Sequence, residues 1–188
     1  MPINMFIAGD LHIPSRATML HPFFQEILQS KKWDFIILTG DFTTLEVLER
    51  FENYVNKPEK IIACKGNMDQ FNLALSPTFK IGSTKFGVFH GTGISPRGDV
   101  NQLKKIANKL DVKILITGHS HQLLVYSDKQ HLILNPGTAT GATGGSSWYV
   151  DTAILVLIFE PKSEKITIES YKINDKNSLK KSIEVVEL

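Results

Sequence analysis

Short apolar runs closed by glycine dominate the first third of the chain. Ile3 to Ala8 is closed by Gly9, Phe35 to Thr39 by Gly40, and Lys60 to Cys64 is stopped at Gly66. Their length and composition predict buried strands. The segments between them have helical spacing. Phe23, Phe24, Ile27 and Leu28 mark a helix over 22–32. Leu45, Leu48, Phe51, Glu52 and Val55 mark an inner stripe over 44–56, with Glu52 as its polar exception. This β-α-β-α-β order implies parallel strands joined by right-handed crossovers.

The pattern then changes. Phe79 to Ile81 and Lys85 to Phe89 flank Gly82-Ser83 and predict a hairpin. A helix is expected from Val100 to Leu110 and a strand from Lys113 to Thr117. Leu123 to Ser127 with His131 to Leu134, and Thr152 to Phe159 with Lys165 to Lys172, read as two further hairpins. From Ile173 the alternation is too poor to place the tail. The expected architecture is α/β, with two packed mixed β-sheets and helices outside, in one domain over 1–188. Gly137 to Ser147 is rich in Gly, Ala, Ser and Thr, and reads either as a flexible loop or as a lid.

Composition narrows the class. A chain of 188 residues suits one domain, and 42% apolar with 21% charged residues is ordinary for a globular protein. The net charge of +2 and the absence of a long basic block argue against a nucleic-acid or membrane surface. A lone Cys64 excludes an intramolecular disulfide and fits a cytoplasmic setting. No signal peptide is apparent, and the longest strongly apolar run, Ala153 to Phe159, is far short of the roughly 20 residues of a membrane helix.

The candidate chemistry sits just past the predicted strands. Asp10-Leu11-His12, Gly40-Asp41, Gly66-Asn67-Met68-Asp69, His90-Gly91 and Gly118-His119-Ser120-His121 offer seven metal donors at five successive strand ends. The donors are Asp10, His12, Asp41, Asn67, His90, His119 and His121. They recur at intervals close to one crossover unit of roughly 30 residues, so successive strand ends could bring them together. One mononuclear site uses about four ligands. Seven is the number expected for two ions that share one. On extended backbone, Asp10 and His12, like His119 and His121, would point the same way.

This ordered set resembles the calcineurin-like metallophosphoesterase superfamily, whose pattern is D-x-H, G-D, G-N-H-[DE], a lone His and G-H-x-H. The size is similar to that of its small one-domain archaeal and bacterial phosphodiesterases. Gly9 to Pro14 and Asn135 to Ala142 also look like the eukaryotic retromer subunit of the same fold. The resemblance implies a four-layer αββα sandwich and two divalent ions, manganese first, with Ni, Co, Fe or Zn as alternatives. It implies that Asp10, His12 and His121 hold one ion, that Asn67, His90 and His119 hold the other, and that Asp41 bridges. Asp69 would orient a neighbouring ligand or loop.

The mechanism so implied is phosphodiester hydrolysis by a metal-bridging hydroxide, with Asp41, Asn67 and His90 at the catalytic centre. The substrate would be a phosphate-ester small molecule or a nucleotide, and a homo-oligomer is compatible with the chain. Met68 departs from the pattern: many members carry a His there, which can protonate the leaving oxygen, and a thioether cannot. Arg97 could contact phosphate but reads as a surface residue. His21 and His131 lie outside the motifs, and Trp148 and Tyr149 could stack on a base or pack the loop. Two rivals are a metal-binding scaffold or adaptor on the same fold and a nuclease. Intact ligands weigh against the first, and a short, nearly neutral chain against the second.

Overall fold

The computed structural model describes residues 1–144 and 150–188. Among the described residues, eleven strands form two sheets. The first sheet is built on the parallel strands β1 (Ile3–Ala8), β2 (Phe35–Leu38) and β3 (Ile61–Ala63). An antiparallel meander of β9 (Ala153–Glu160), β10 (Lys165–Ile173) and β11 (Leu179–Glu187) extends it from β1, giving the order β11-β10-β9-β1-β2-β3. The second sheet has the order β4-β5-β6-β8-β7. Its strands are β4 (Thr78–Ile81), β5 (Thr84–Phe89), β6 (Ile114–Thr117), β7 (Leu123–Ser127) and β8 (Leu132–Pro136). β5, β6 and β8 run parallel, with β4 and β7 antiparallel at the edges.

Alternation along the strands explains the layering. In β1, Met5 and Ile7 point between the sheets, whereas Phe6 and Ala8 point outward to α1 (Pro22–Gln29) and α2 (Leu45–Glu49). In β6, Ile114 and Ile116 face the first sheet, and Leu115 faces α3 (Val100–Leu110). A strand buried on both faces must be apolar at every position, which is why these runs lack the hydrophobic–polar period of an exposed sheet. The three apolar clusters are the three seams of an αββα sandwich, as expected.

Local readings needed three corrections. The helix predicted over 22–32 stops at Gln29, because Ser30 Oγ donates to Ile27 O at 2.7 Å and Trp33 Nε1 donates to Leu28 O at 2.9 Å. The helix predicted over 44–56 is α only to Glu49 and tightens to a 3₁₀ turn over Arg50–Tyr54. The tighter turn rotates the inner face, so Val47, Phe51 and Val55 are buried while Leu45 and Glu52 are exposed. The unplaced tail is β11, which pairs along all of β10 from Lys165↔Glu187 to Ile173↔Leu179. Its side chains are largely exposed, so it carries no burial period to read. Among the described residues, no helix is long and apolar enough to cross a membrane.

Candidate metal centre

All five motif loops leave the carboxyl ends of β1, β2, β3, β5 and β6, and they converge on one side of the sandwich. The paired ligands do not sit on extended backbone, contrary to the sequence expectation. Asp10, His12, Asp41, His119 and His121 all adopt left-handed backbone, with φ between 48° and 68°. Non-glycine residues seldom hold such angles, and they persist where the surroundings fix them. Here the loops turn sharply at the ligands themselves, which aims the side chains of successive strand ends at a common point.

The atoms fall into two overlapping groups. Around one side, His121 Nε2 lies 3.4 Å from Asp10 Oδ1 and 3.3 Å from His12 Nε2. Around the other, His90 Nε2 lies 3.2 Å from both Asn67 Oδ1 and His119 Nδ1. Asp41 Oδ2 stands between them, 3.5 Å from both His12 Nε2 and His90 Nε2. Ligand atoms of Asp10, His12 and His121 lie within 4.8 Å of one another, as do those of Asp10, Asp41 and His90. The seven sequence-predicted donors are therefore all at one place.

Two histidines have their tautomer set by backbone carbonyls. His90 Nδ1–H donates to Thr39 O at 2.7 Å, and His121 Nδ1–H donates to Ala142 O at 2.7 Å. Each Nε2 lone pair is thereby turned into the cluster. Lone pairs facing one another at such distances repel unless a proton or a cation lies among them, so the donor set fits divalent ions. In the metal-free protein a proton takes that place. Burial pushes His90 down, but the Asp41 hydrogen bond and the charges of Asp10 and Asp41 outweigh it and raise its pKa to about 9. Burial pushes Asp41 up, yet the hydrogen bond and charge of His90, with the Met68 N–H, bring it to about 2. Burial raises Asp10 to about 7, against the charge of His90 and with that of Asp41. Burial lowers His12, His119 and His121 to about 4 each, the neutral form a metal ligand needs.

Asp69 does not face the cluster centre. Its carboxylate accepts four backbone N–H groups: Asp41 at 2.9 Å, Gly66 at 2.8 Å, Phe42 at 2.7 Å and Thr43 at 2.9 Å. It ties the loop after β2 to the loop after β3. Gly66 lets these loops meet: a Cβ there would lie 2.2 Å from Asp41 N and Oδ1. Met68 lends only its backbone, N–H to Asp41 Oδ1 at 2.8 Å, and its side chain stays 38% exposed at the site.

The glycine-rich stretch divides. Its described part is bonded to the ligand loops: Thr138 Oγ1 donates to Asp10 O at 2.9 Å and Thr140 Oγ1 to Leu11 O at 3.0 Å. Asn135 Nδ2 holds the G-H-S-H loop through Gly118 O at 2.9 Å. Residues 145–149, with Trp148 and Tyr149, lie outside the described residues. Outside the cluster, His21 bonds Asn177 and His131 bonds Asn108. Sequence reasoning missed Arg16, which lines the cavity over the cluster; Arg97 is an exposed surface residue, as expected, and lines the same cavity. Arg16 follows His12 by one helical turn's worth of chain, the one local signal that could have marked it.

Comparison with known proteins gives the family and the fold. A family model described as the calcineurin-like phosphoesterase superfamily domain matches residues 3–156. A protein of Methanocaldococcus jannaschii described as "Probable metallophosphoesterase" is 35% identical over 135 residues, covering 71% of this chain and 67% of that one. Vacuolar protein sorting 29 of Cryptosporidium parvum superposes with a TM-score of 0.90 at 26% identity, over 100% of this chain and 99% of that one. Wild-type Vps29 of Entamoeba histolytica, solved with Zn²⁺, superposes with a TM-score of 0.82 at 28% identity, over 98% and 99%.

Proposed function

The chain belongs to the calcineurin-like phosphoesterase superfamily, and on that premise we propose that it is a dinuclear-metal phosphoesterase that hydrolyses phosphodiesters. The observation that carries this reading is the pair of ligand groups sharing Asp41, whose one oxygen lies 3.5 Å from a histidine nitrogen of each. Asp10, His12 and His121 would hold one ion, Asn67, His90 and His119 the second, and Asp41 would bridge. When bound, such a pair supplies an acidified water and positive charge that offsets the phosphoryl oxygens. Manganese is placed first, although imidazole and carboxylate suit Ni, Co, Fe or Zn as well.

The chain's own residues do the rest. The Thr39 and Ala142 carbonyls fix the rings of His90 and His121. Asp69 fixes the loops that carry Asp41 and Asn67. Met68 offers the leaving oxygen no proton. Substrates whose leaving group departs unaided, such as nitrophenyl diesters, should therefore be hydrolysed faster than alkyl esters. The whole-length likeness to Vps29 favours a second reading, a scaffold with little or no catalysis.

One assay separates the two. The purified protein is analysed for metal, then tested on bis-nitrophenyl phosphate against nitrophenyl phosphate across Mn, Ni, Co, Zn and Mg. Asp41→Ala and His90→Ala serve as controls. A metal-dependent rate well above both variants, with the diester preferred, is expected. A metal-loaded protein no faster than its variants would sink the enzyme reading and leave the scaffold.

A further inference from the structure

We infer that Arg16 and Arg97 form a two-sided anion clamp, which selects phosphoesters carrying a second phosphoryl group beside the scissile one. The inference rests on the phosphoesterase reading above. Both arginines line the cavity of about 220 Å³ whose floor includes His12, Asp41, His119 and His121. They reach it from different loops: Arg16 from the loop after β1, and Arg97 from the loop between β5 and α3. Arg16 Nη1 reaches Thr143 O, and Arg97 Nη1 would lie 3.3 Å from a Cβ on Gly144, so the two guanidiniums border the cavity beside neighbouring residues while arriving from different loops.

Neither guanidinium is neutralised. Among the described residues, neither has a carboxylate partner. Asp41, the carboxylate in the cavity wall, is committed to Met68 N–H through Oδ1 and to His12 and His90 through Oδ2. Arg16 uses Nη1 to hold Thr143 O at 2.7 Å, which aims the group and leaves its other donors free. Arg97 faces the cluster across a gap that Gly144 keeps clear: a Cβ there would lie 3.0 Å from His121 Nε2 and 3.3 Å from Arg97 Nη1.

Charge decides the substrate class. Two divalent ions against Asp10, Asp41 and a bound hydroxide would leave one positive charge, and the arginines add two more. A diester brings a single negative charge. A second phosphate brings roughly two further charges at pH 7, and its oxygens match the guanidinium fork.

The test uses a matched pair of substrates: thymidine 3′-(nitrophenyl phosphate) and the same ester phosphorylated at the 5′ position. Scissile bond and leaving group are identical. The metal-loaded wild type should favour the 5′-phosphorylated ester by about tenfold in kcat/KM, mainly through KM. Arg16→Gln and Arg97→Gln should each remove most of that preference, and the Lys variants should restore part of it. Calorimetry with thymidine 3′,5′-bisphosphate against thymidine 3′-monophosphate reads the clamp without turnover. Equal affinity for both nucleotides in the wild type, or a preference that survives both Gln variants, overturns the clamp. Preferential binding of the bisphosphate with hydrolysis of neither ester supports the clamp and removes the phosphoesterase reading. Hydrolysis of both esters without preference removes the clamp alone.

Discussion

Replacing Asp69 by Asn tests whether the centre is held by a carboxylate that touches no substrate. Oδ2 accepts from Asp41 and Gly66, and Oδ1 from Phe42 and Thr43, at 2.7–2.9 Å. Two of the residues so held, Asp41 and Thr43, have φ of 57° and 73°, angles that L-residues leave when released. Asparagine has the same shape but one oxygen. Two N–H groups keep an acceptor, and two face an amide NH₂. Hydrogen bonds to a charged group contribute about 1.5–3 kcal/mol each, so losing two costs about 3–6 kcal/mol. A domain of ordinary stability has about 5–15 kcal/mol in all. With a urea slope of about 2 kcal/mol/M, the midpoint should fall by about 1.5 M or more. Asp34→Asn is the control, because among the described residues Asp34 accepts only the Asn4 N–H, through Oδ2 at 2.8 Å, and an amide oxygen can still do so. Urea unfolding of the metal-free proteins, followed by metal titration, gives the answer. A loss below about 1 kcal/mol in Asp69→Asn, with metal affinity unchanged, would refute the four-point tie.

Other consequences follow from the same geometry. Met68→His should speed alkyl diesters by up to about 10²-fold and nitrophenyl diesters little, since general acid help matters most for poor leaving groups; equal gains on both would contradict the leaving-group argument. Gly66→Ala puts a Cβ 2.2 Å from Asp41 N and Oδ1, so metal affinity should fall at least tenfold while the far sheet edge β10–β11 keeps its amide-exchange protection; unchanged affinity would contradict the close approach. Metal uptake should release protons. The raised pKa values of His90, about 9, and Asp10, about 7, leave the first protonated and the second half-protonated at pH 7. About two to three protons should leave per protein at pH 7, the acidified water's included, falling towards about one as pH rises past 9, read by calorimetry in buffers of different ionisation heat. No proton release at pH 7 would contradict that charge state.

The sequence by itself determined the seven candidate donors and the framework under them. Short apolar runs followed by glycine are local signals, so β1, β2, β3, β5 and β6, from the fully buried β6 to the half-buried edge strand β3, and the seven donors just past them can be read from the sequence. The signal faded where burial faded: β11 is largely exposed, and only its pairing with β10 marks it as a strand. Backbone angles were equally hidden. Asp10 and His12 both turn left-handed, and bonds from distant segments hold that backbone: Thr138 Oγ1 to Asp10 O, and the Asp10 and His12 N–H groups to Gly40 O and Asp41 O. Only the tertiary structure supplied the four N–H partners through which Asp69, expected from the resemblance to orient a loop, acts, and only it brought Arg16 and Arg97 to one cavity. A carboxylate that gathers four N–H groups and a surface arginine look alike in sequence to any turn Asp or solvated Arg. The partners that distinguish them lie far away along the chain: Asp69 reaches back to Asp41, and Arg16 reaches forward to Thr143. Hydrophobic period is a property of neighbours in sequence. Charge compensation and hydrogen-bond satisfaction are properties of neighbours in space, and they exist only once the two sheets have packed.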